Sequence, residues 1–312
     1  MIYSHHLIPI STISLPARPP FSFPAVVKSH GWVQLLPFAF DEASATLTYV
    51  DRLSSGRITE YRIIESSTGV TIHIDGKLTK PEQAEIAGKV TWMLGLEMDF
   101  SEFYALVREE PKLAQVEKKA QGRVLRSPTF FENVVKTILT TNTLWGATRR
   151  MTANLVNQFG DSLPQDNSRR AFPTPERLAR ATPEILKNET RLGYRAPYIH
   201  ELAVSVATGE LDLEAFKASE LPTPELRKHL MKIKGIGAYA SANLLVLLGR
   251  YDFLPVDSWA LKVVAHEWHN DQAIGPAEVE AAFEKWGQWK GLAYWFWDWN
   301  LTTVKSYAIL LL

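Results

Sequence analysis

Short alternating runs of apolar and polar residues mark the first hundred positions. Trp32–Phe38, Thr46–Asp51, Arg57–Ile64 and Val70–Asp75 follow this pattern, separated by turn signals such as Ser54-Ser55-Gly56 and Ser66-Ser67-Thr68-Gly69. A period of two predicts strands, and three to five antiparallel strands are expected here. The period lengthens over residues 80–94, with Pro81 in the first turn and Gly95 just past the end, which predicts a helix. From Phe100 onward the pattern is helical almost throughout. Helices are expected over 101–108, 111–119, 128–141, 145–159, 174–187, 194–207, 223–232, 238–249, 258–268, 276–287 and 289–308. The chain therefore divides into a proline-rich lead (1–24), an antiparallel β-rich region (25–99) and an all-α body (100–312), an α+β architecture.

Composition narrows the chemistry. The 312 residues include no cysteine, which excludes disulfides, thiol nucleophiles, thiolate zinc sites and iron–sulfur clusters. Apolar runs such as Leu244–Leu248 and Ala308–Leu312 are far shorter than the ~20 residues of a membrane span. The apolar start (Met1, Ile2, Leu7, Ile8) lacks a basic region and is followed by Pro9, so it does not read as a secretory signal. A soluble, intracellular protein is expected. The 34 basic residues balance 34 acidic ones, so any affinity for nucleic acid must come from local charge.

That local charge lies over residues 223–235, within an informative stretch spanning 222–259. An amphipathic segment with Leu226, Leu230 and Ile233 on one face leads into Lys234-Gly235-Ile236-Gly237, and a helix restarts at Ala238. Glycines at 235 and 237 permit positive φ and close backbone approach, while Ile236 tucks between the helices. The restarting helix presents unpaired amides suited to a phosphate. Lys228, Lys232 and Lys234 stand close by. Pro255-Val256-Asp257-Ser258-Trp259 then runs extended before a further helix, putting Asp257 at its start. An aspartate there is either an N-cap or a functional carboxylate.

The hairpin followed twenty residues later by Pro-Val-Asp resembles the helix–hairpin–helix (HhH-GPD) base-excision DNA glycosylases. Leu139-Thr140-Thr141-Asn142 and Leu192-Gly193-Tyr194-Arg195-Ala196 are similar to segments of the 8-oxoguanine DNA glycosylases. Trp286-Gly287-Gln288-Trp289-Lys290-Gly291-Leu292-Ala293 is similar to the closing helix of both that group and the 3-methyladenine DNA glycosylase II group. The resemblance implies a TBP-like N-terminal sheet and a partner, double-stranded DNA containing a damaged base, bound by a monomer in the cytoplasm or nucleoid, or in a nucleus. It implies that Asp257 stabilises positive charge on the sugar as the N-glycosidic bond breaks. At a helix start, amides and dipole would keep it ionised.

The resemblance assigns further roles. Asn142, Tyr194 and Arg195 would act at the site vacated by the flipped nucleotide. Lys234, Gly235, Ile236, Gly237 and Trp259 would hold backbone phosphate, with Trp259 equally readable as packing. The main-chain carbonyls of Met231, Ile233 and Ile236 would bind a monovalent cation, sodium or potassium; no other cofactor is implied. Bifunctional relatives place a Schiff-base lysine two residues after the second hairpin glycine, where this chain has Tyr239. A monofunctional enzyme using water is therefore expected. Tyr239 and Asn243, one turn apart, and Tyr294 and Asp298, at the same spacing, would form the base pocket, although Asp298 also reads as solvent-facing. Of Trp286, Trp289, Trp295, Trp297 and Trp299, one or two are expected to touch substrate. Alkylated purines are the expected substrates. Oxidised or deaminated purines, or a non-catalytic DNA-binding module, are the alternatives.

Other clusters read as bland. His266-Glu267-Trp268-His269 is one residue short of a zinc-binding H-E-x-x-H. Lys112, Lys118, Lys119, Arg123 and Arg126 suit either phosphates or a solvated face.

Overall fold

The computed structural model describes residues 10–299. Five strands, β1 (Ile10–Pro16), β2 (Phe38–Asp41), β3 (Thr46–Arg52), β4 (Ile58–Ser66) and β5 (Gly69–Asp75), form one sheet in the order β1-β5-β4-β3-β2. Every pairing is antiparallel, and its registers set Leu47 opposite Ile63 and Ile63 opposite Ile72. Apart from Leu47, the buried apolar positions Tyr49, Tyr61, Ile63, Val70, Ile72 and Ile74 are β-branched or aromatic, which suits a pleated, half-buried surface. Strand β1 was not expected. It lies within the proline-rich lead, alternates (Ile10, Thr12, Ser14 outward; Ser11, Ile13, Leu15 half-buried) and forms one edge of the sheet.

Helix α1 (Phe23–Val27) and a 3₁₀ turn over Gly31–Gln34 precede the sheet's second strand, so the first part of the run expected as strand over Trp32–Phe38 is helical. Helix α2 (Lys80–Leu94) matches its expected bounds. A reciprocal capping box between Thr79 and Glu82 starts it, and left-handed Gly95 (φ 59°) ends it.

The helical body follows: α3 (Ser101–Val107), α4 (Gln115–Lys118), α5 (Phe130–Thr140), α6 (Trp145–Phe159), α7 (Pro175–Ala179), α8 (Pro183–Thr190), α9 (Ala196–Ala207), α10 (Thr223–Met231), α11 (Ala238–Leu247), α12 (Ser258–Trp268), α13 (Pro276–Phe283) and α14 (Lys290–Phe296). The single helix expected over 174–187 is split, because Thr182-Pro183 starts a second N-cap. A small hairpin, β6 (Ser162–Leu163) and β7 (Asp166–Arg170), carries no apolar alternation and was not foreseen. The helix expected over 289–308 stops at Phe296, and residues 300–308 of that expectation lie outside the described residues.

One continuous core runs through sheet and helices. At their junction Lys136 of α5 is fully buried, with its Nζ 2.6 Å from Glu132 Oε1, while Tyr49 Oη of β3 donates to Glu132 Oε2 at 2.5 Å. Burial pushes the Lys136 ammonium below its ordinary value and the Tyr49 phenol well above. Arg123 and Arg126 fit neither expected role, because both are buried. Arg123 clamps the carbonyls of Arg18, Pro20, Gly95 and Met98, and Arg126 lies 4.4 Å over the Trp92 ring. Among the described residues, no helix is long and apolar enough to cross a membrane.

Candidate active site

Helix α10, the turn at residues 232–237 and α11 form the hairpin. Gly235 has φ +89°, a conformation that suits glycine, and a Cβ there would stand 3.0 Å from the Tyr198 ring. Gly237 is extended (φ −95°), so positive φ is used at only one of the two expected positions. A Cβ on Gly237 would meet nothing within 4 Å, which leaves this face open to an approaching ligand. No side chain caps α11, and its first-turn amides point outward. Ile236 is buried beneath the turn and its amide donates to the Ile233 carbonyl at 3.0 Å. Lys234 is exposed and pairs with Glu201 (2.6 Å).

From the end of α11 the chain runs through Pro255 to Asp257, the N-cap of α12. Its Oδ1 accepts the amides of Trp259 (3.0 Å) and Ala260 (2.8 Å). The cap thus occupies one carboxylate oxygen and leaves the other outside it. The charge balance is opposite to that expected from the helix start. Burial pushes the Asp257 carboxyl above the usual carboxylate range, and the capping amides only partly offset this.

Asp257 lines a cavity of about 140 Å³ together with Tyr239, Asn243, Tyr294, Trp259, Trp295 and Trp299. That is close to the roughly 150 Å³ that admits a benzene ring in an engineered protein cavity. Burial and the Asp257 charge push the Tyr239 phenol up to about 12, and the same two causes raise Tyr294 well above its ordinary value. Both hydroxyls stay protonated at neutral pH. The Asn243 amide is turned to the Tyr239 carbonyl (3.1 Å).

Two assignments need correction. Asp298 is exposed and absent from the cavity wall. The backbone turns extended at Trp297 (ψ 134°), breaking the helical spacing from Tyr294, and the Asp298 amide donates to the Lys112 carbonyl at 3.1 Å. Trp259 belongs to the cavity wall, edge-on to Tyr294 (6.3 Å between centroids), and not to the hairpin's phosphate face. Of the five late tryptophans, Trp295 and Trp299 reach the cavity, while Trp286 packs against Phe283 and Trp297, and Trp289 against Tyr251.

Asn142 stands exposed beyond the end of α5, in a left-handed conformation (φ 48°). Tyr194 is 52% exposed, with the Arg195 guanidinium 4.4 Å over its ring. Arg195 itself is buried. It donates to the carbonyl of Thr141 and, at 3.4 Å, to that of Asn142, so it braces the loop that presents Asn142.

Part of the wall comes from residues that the sequence pattern does not single out. His30, Gly31 and Trp32, ahead of the sheet's second strand, also line the cavity. His30 Nε2 lies 2.7 Å from the Leu125 carbonyl, and its ring stacks tilted on Trp32 (4.8 Å) and edge-on to Trp295 (5.7 Å). A lone histidine between two turns carries no local signal of such a placement.

A glycine hairpin, an aspartate at the next helix start and a ring-sized cavity thus stand side by side. Residues 135–288 match the family model described as HhH-GPD superfamily base excision DNA repair protein. The chain is 25% identical over 221 residues to a DNA-3-methyladenine glycosylase of Bacillus subtilis (strain 168), covering 69% of this chain and 72% of the relative. A DNA-3-methyladenine glycosylase 2 of Escherichia coli (strain K12) is 28% identical over 166 residues, covering 52% and 55%. Among solved structures, the 3-methyladenine DNA-glycosylase from Archaeoglobus fulgidus shares the fold at a TM-score of 0.70 and 23% identity, covering 92% of this chain and 97% of the other. The Clostridium acetobutylicum 8-oxoguanine glycosylase/lyase shares it at 0.65 and 20% identity, covering 87% and 93%.

Proposed function

We propose that this protein, a base-excision DNA glycosylase by family, extrudes an alkylated purine from duplex DNA into the cavity at Asp257 and hydrolyses its N-glycosidic bond. The observation that carries this reading is Asp257 itself, a desolvated carboxylate with one oxygen held by helix amides, on the wall of a ring-sized aromatic cavity. As the bond breaks, positive charge develops on the sugar. The fixed carboxylate stabilises that charge and orients the attacking water. Aromatic walls at Trp259, Trp295 and Tyr294 suit a flat base, and a cationic alkylated ring gains further from their faces.

The open face at Gly237 and the outward amides of α11 would hold a phosphate of the damaged strand. Lys234 would add charge at the same turn. Asn142 would occupy the gap left by the extruded nucleotide, offsetting an unstacking cost of a few kcal/mol, with Tyr194 beside it and Arg195 bracing the loop from within. The hairpin carbonyls fit a monovalent cation. They are hard oxygen donors, and the Ile233 carbonyl, bonded to Ile236, keeps a second lone pair. A cation held by Met231, Ile233 and Ile236 would supply positive charge behind the phosphate. Tyr239 stands where a Schiff-base lysine would be needed, which supports hydrolysis without strand cleavage.

Single-lesion duplexes carrying 3-methyladenine, 1,N6-ethenoadenine, hypoxanthine, uracil and 8-oxoguanine test this directly. Alkylated purines are expected to be released, with strand breaks appearing only after hot alkali. Release confined to 8-oxoguanine or hypoxanthine would move the substrate to oxidised or deaminated purines. Tight binding without release from any duplex would leave a DNA-binding module.

A further inference from the structure

We infer that His30, contributed by the segment before the sheet's second strand, selects the extruded base by accepting a hydrogen bond at Nδ1 from an N–H group on the purine edge. The inference rests on the glycosylase reading above and names what that site recognises.

Four observations converge on it. His30 is 7% exposed and lies in the cavity wall, so it faces whatever ring enters. Its Nε2 is 2.7 Å from the Leu125 carbonyl, which can only accept, so Nε2 must carry the proton. The other ring nitrogen then holds a lone pair and cannot donate while the ring is neutral. That Nδ1 has no hydrogen-bond partner among the described residues. Packing between Trp32 and Trp295 prevents the ring from turning to change which nitrogen faces Leu125.

The ring's charge state fits the role. Burial lowers the His30 pKa to about 4, assisted by the Lys136 ammonium and opposed by the bond to Leu125. At neutral pH the imidazole is uncharged, so a cationic alkylpurine meets no like charge on this wall. The second oxygen of Asp257 is another acceptor on this wall, and the proposed function assigns it to the sugar. The Tyr239 and Tyr294 hydroxyls are protonated and can donate, and the Asn243 amide is engaged with the Tyr239 carbonyl. A purine carrying an exocyclic amino group would satisfy the lone pair. A purine whose corresponding edge bears no N–H would leave it buried and unpaired, which costs affinity.

Two measurements test the assignment. His30→Phe keeps an aromatic ring against Trp32 and Trp295 and offers no acceptor. Its ratio of single-turnover excision rates, 3-methyladenine over 1,N6-ethenoadenine, is expected to fall on the order of tenfold relative to the unchanged protein. An unaltered ratio would overturn the role of His30. The second measurement titrates the unchanged protein with free adenine and with unsubstituted purine, read by fluorescence of the cavity tryptophans. Adenine is expected to bind on the order of tenfold more tightly, and equal binding would overturn the inference. This titration does not depend on bond cleavage or on a variant folding. Failure of the unchanged protein to release any base would overturn the glycosylase reading, whereas the adenine preference decides His30 separately.

Discussion

The amide of Gly291 donates to the carbonyl of Tyr251 across 2.6 Å, fastening the first turn of α14 to the segment that leads into Asp257. A Cβ at Gly291 would stand 2.7 Å from the carbonyl oxygens of both Tyr251 and Phe253, which are backbone and cannot swing aside. The helix bearing Tyr294 and Trp295 is thereby fixed against the strand of chain bearing the carboxylate.

Gly291→Ala should therefore force α14 away from residues 251–253. Overpacking of this kind costs about 1–3 kcal/mol. Thermal melting is expected to drop by several degrees, with base excision falling further than global unfolding alone explains. A variant that melts and turns over like the parent would show that the contact is soft.

Asp257→Asn keeps a residue that caps helices well but removes the charge. Excision is expected to fall on the order of 100-fold or more, with affinity for damaged duplex retained. Stability should move the other way. Burial raises the folded-state pKa of Asp257 above its unfolded value, so the carboxyl favours folding below the ordinary carboxylate range. That contribution is lost as pH rises through the folded value. At neutral pH the ionised form is a burden on the fold, and the variant should melt no lower than the parent. A clear loss of melting temperature at pH 7 would make Asp257 mainly a cap.

The same shift sets the acid limb of activity. If the ionised carboxylate does the work, single-turnover rates should fall as pH drops through a value above the roughly 3.9 of an ordinary aspartate. Rates that hold down to pH 4 would mean that another group limits the reaction.

Borohydride added during turnover should trap no covalent protein–DNA adduct, because Tyr239 offers no amine where a Schiff base would form. An adduct would point to a different lysine and to strand cleavage.

Lys136→Met leaves Glu132 buried beneath Tyr49 without its counter-charge. Losing one partner of a buried pair costs about 3–5 kcal/mol, read by denaturant unfolding. Adding Glu132→Leu should restore most of it, because two apolar residues replace the pair. If the double substitution adds further loss, the pair stabilises the fold outright.

Local spacing made part of this molecule legible in advance. Helix α2 announced itself through Thr79, Pro81, Glu82 and Gly95, and the hairpin with Asp257 lies within a window of some thirty residues. Asp298 was misplaced because helical periodicity was carried past Phe296, where Trp297 turns extended. His30 was invisible because its placement depends on Leu125, Trp295 and the packing of the sheet against the body. Arg123 reads as a phosphate contact or a solvated residue because charge pattern alone cannot reveal a set of carbonyls gathered from four positions. A sequence window reports short-range geometry well, and walls assembled from distant segments poorly.

The cavity wall crosses the edges of the recognisable family segment. Asp257 and Tyr239 fall within residues 135–288, but His30 and Trp32 precede it, and Tyr294, Trp295 and Trp299 follow it. The segment that holds Asp257 is thus distinct from the flanks that shape much of the cavity. Under the proposed function, substitutions in those flanks would retune which lesion is admitted while Asp257 and its hairpin stay constant. Proteins that share the central segment at the level of family membership can for that reason differ in diet.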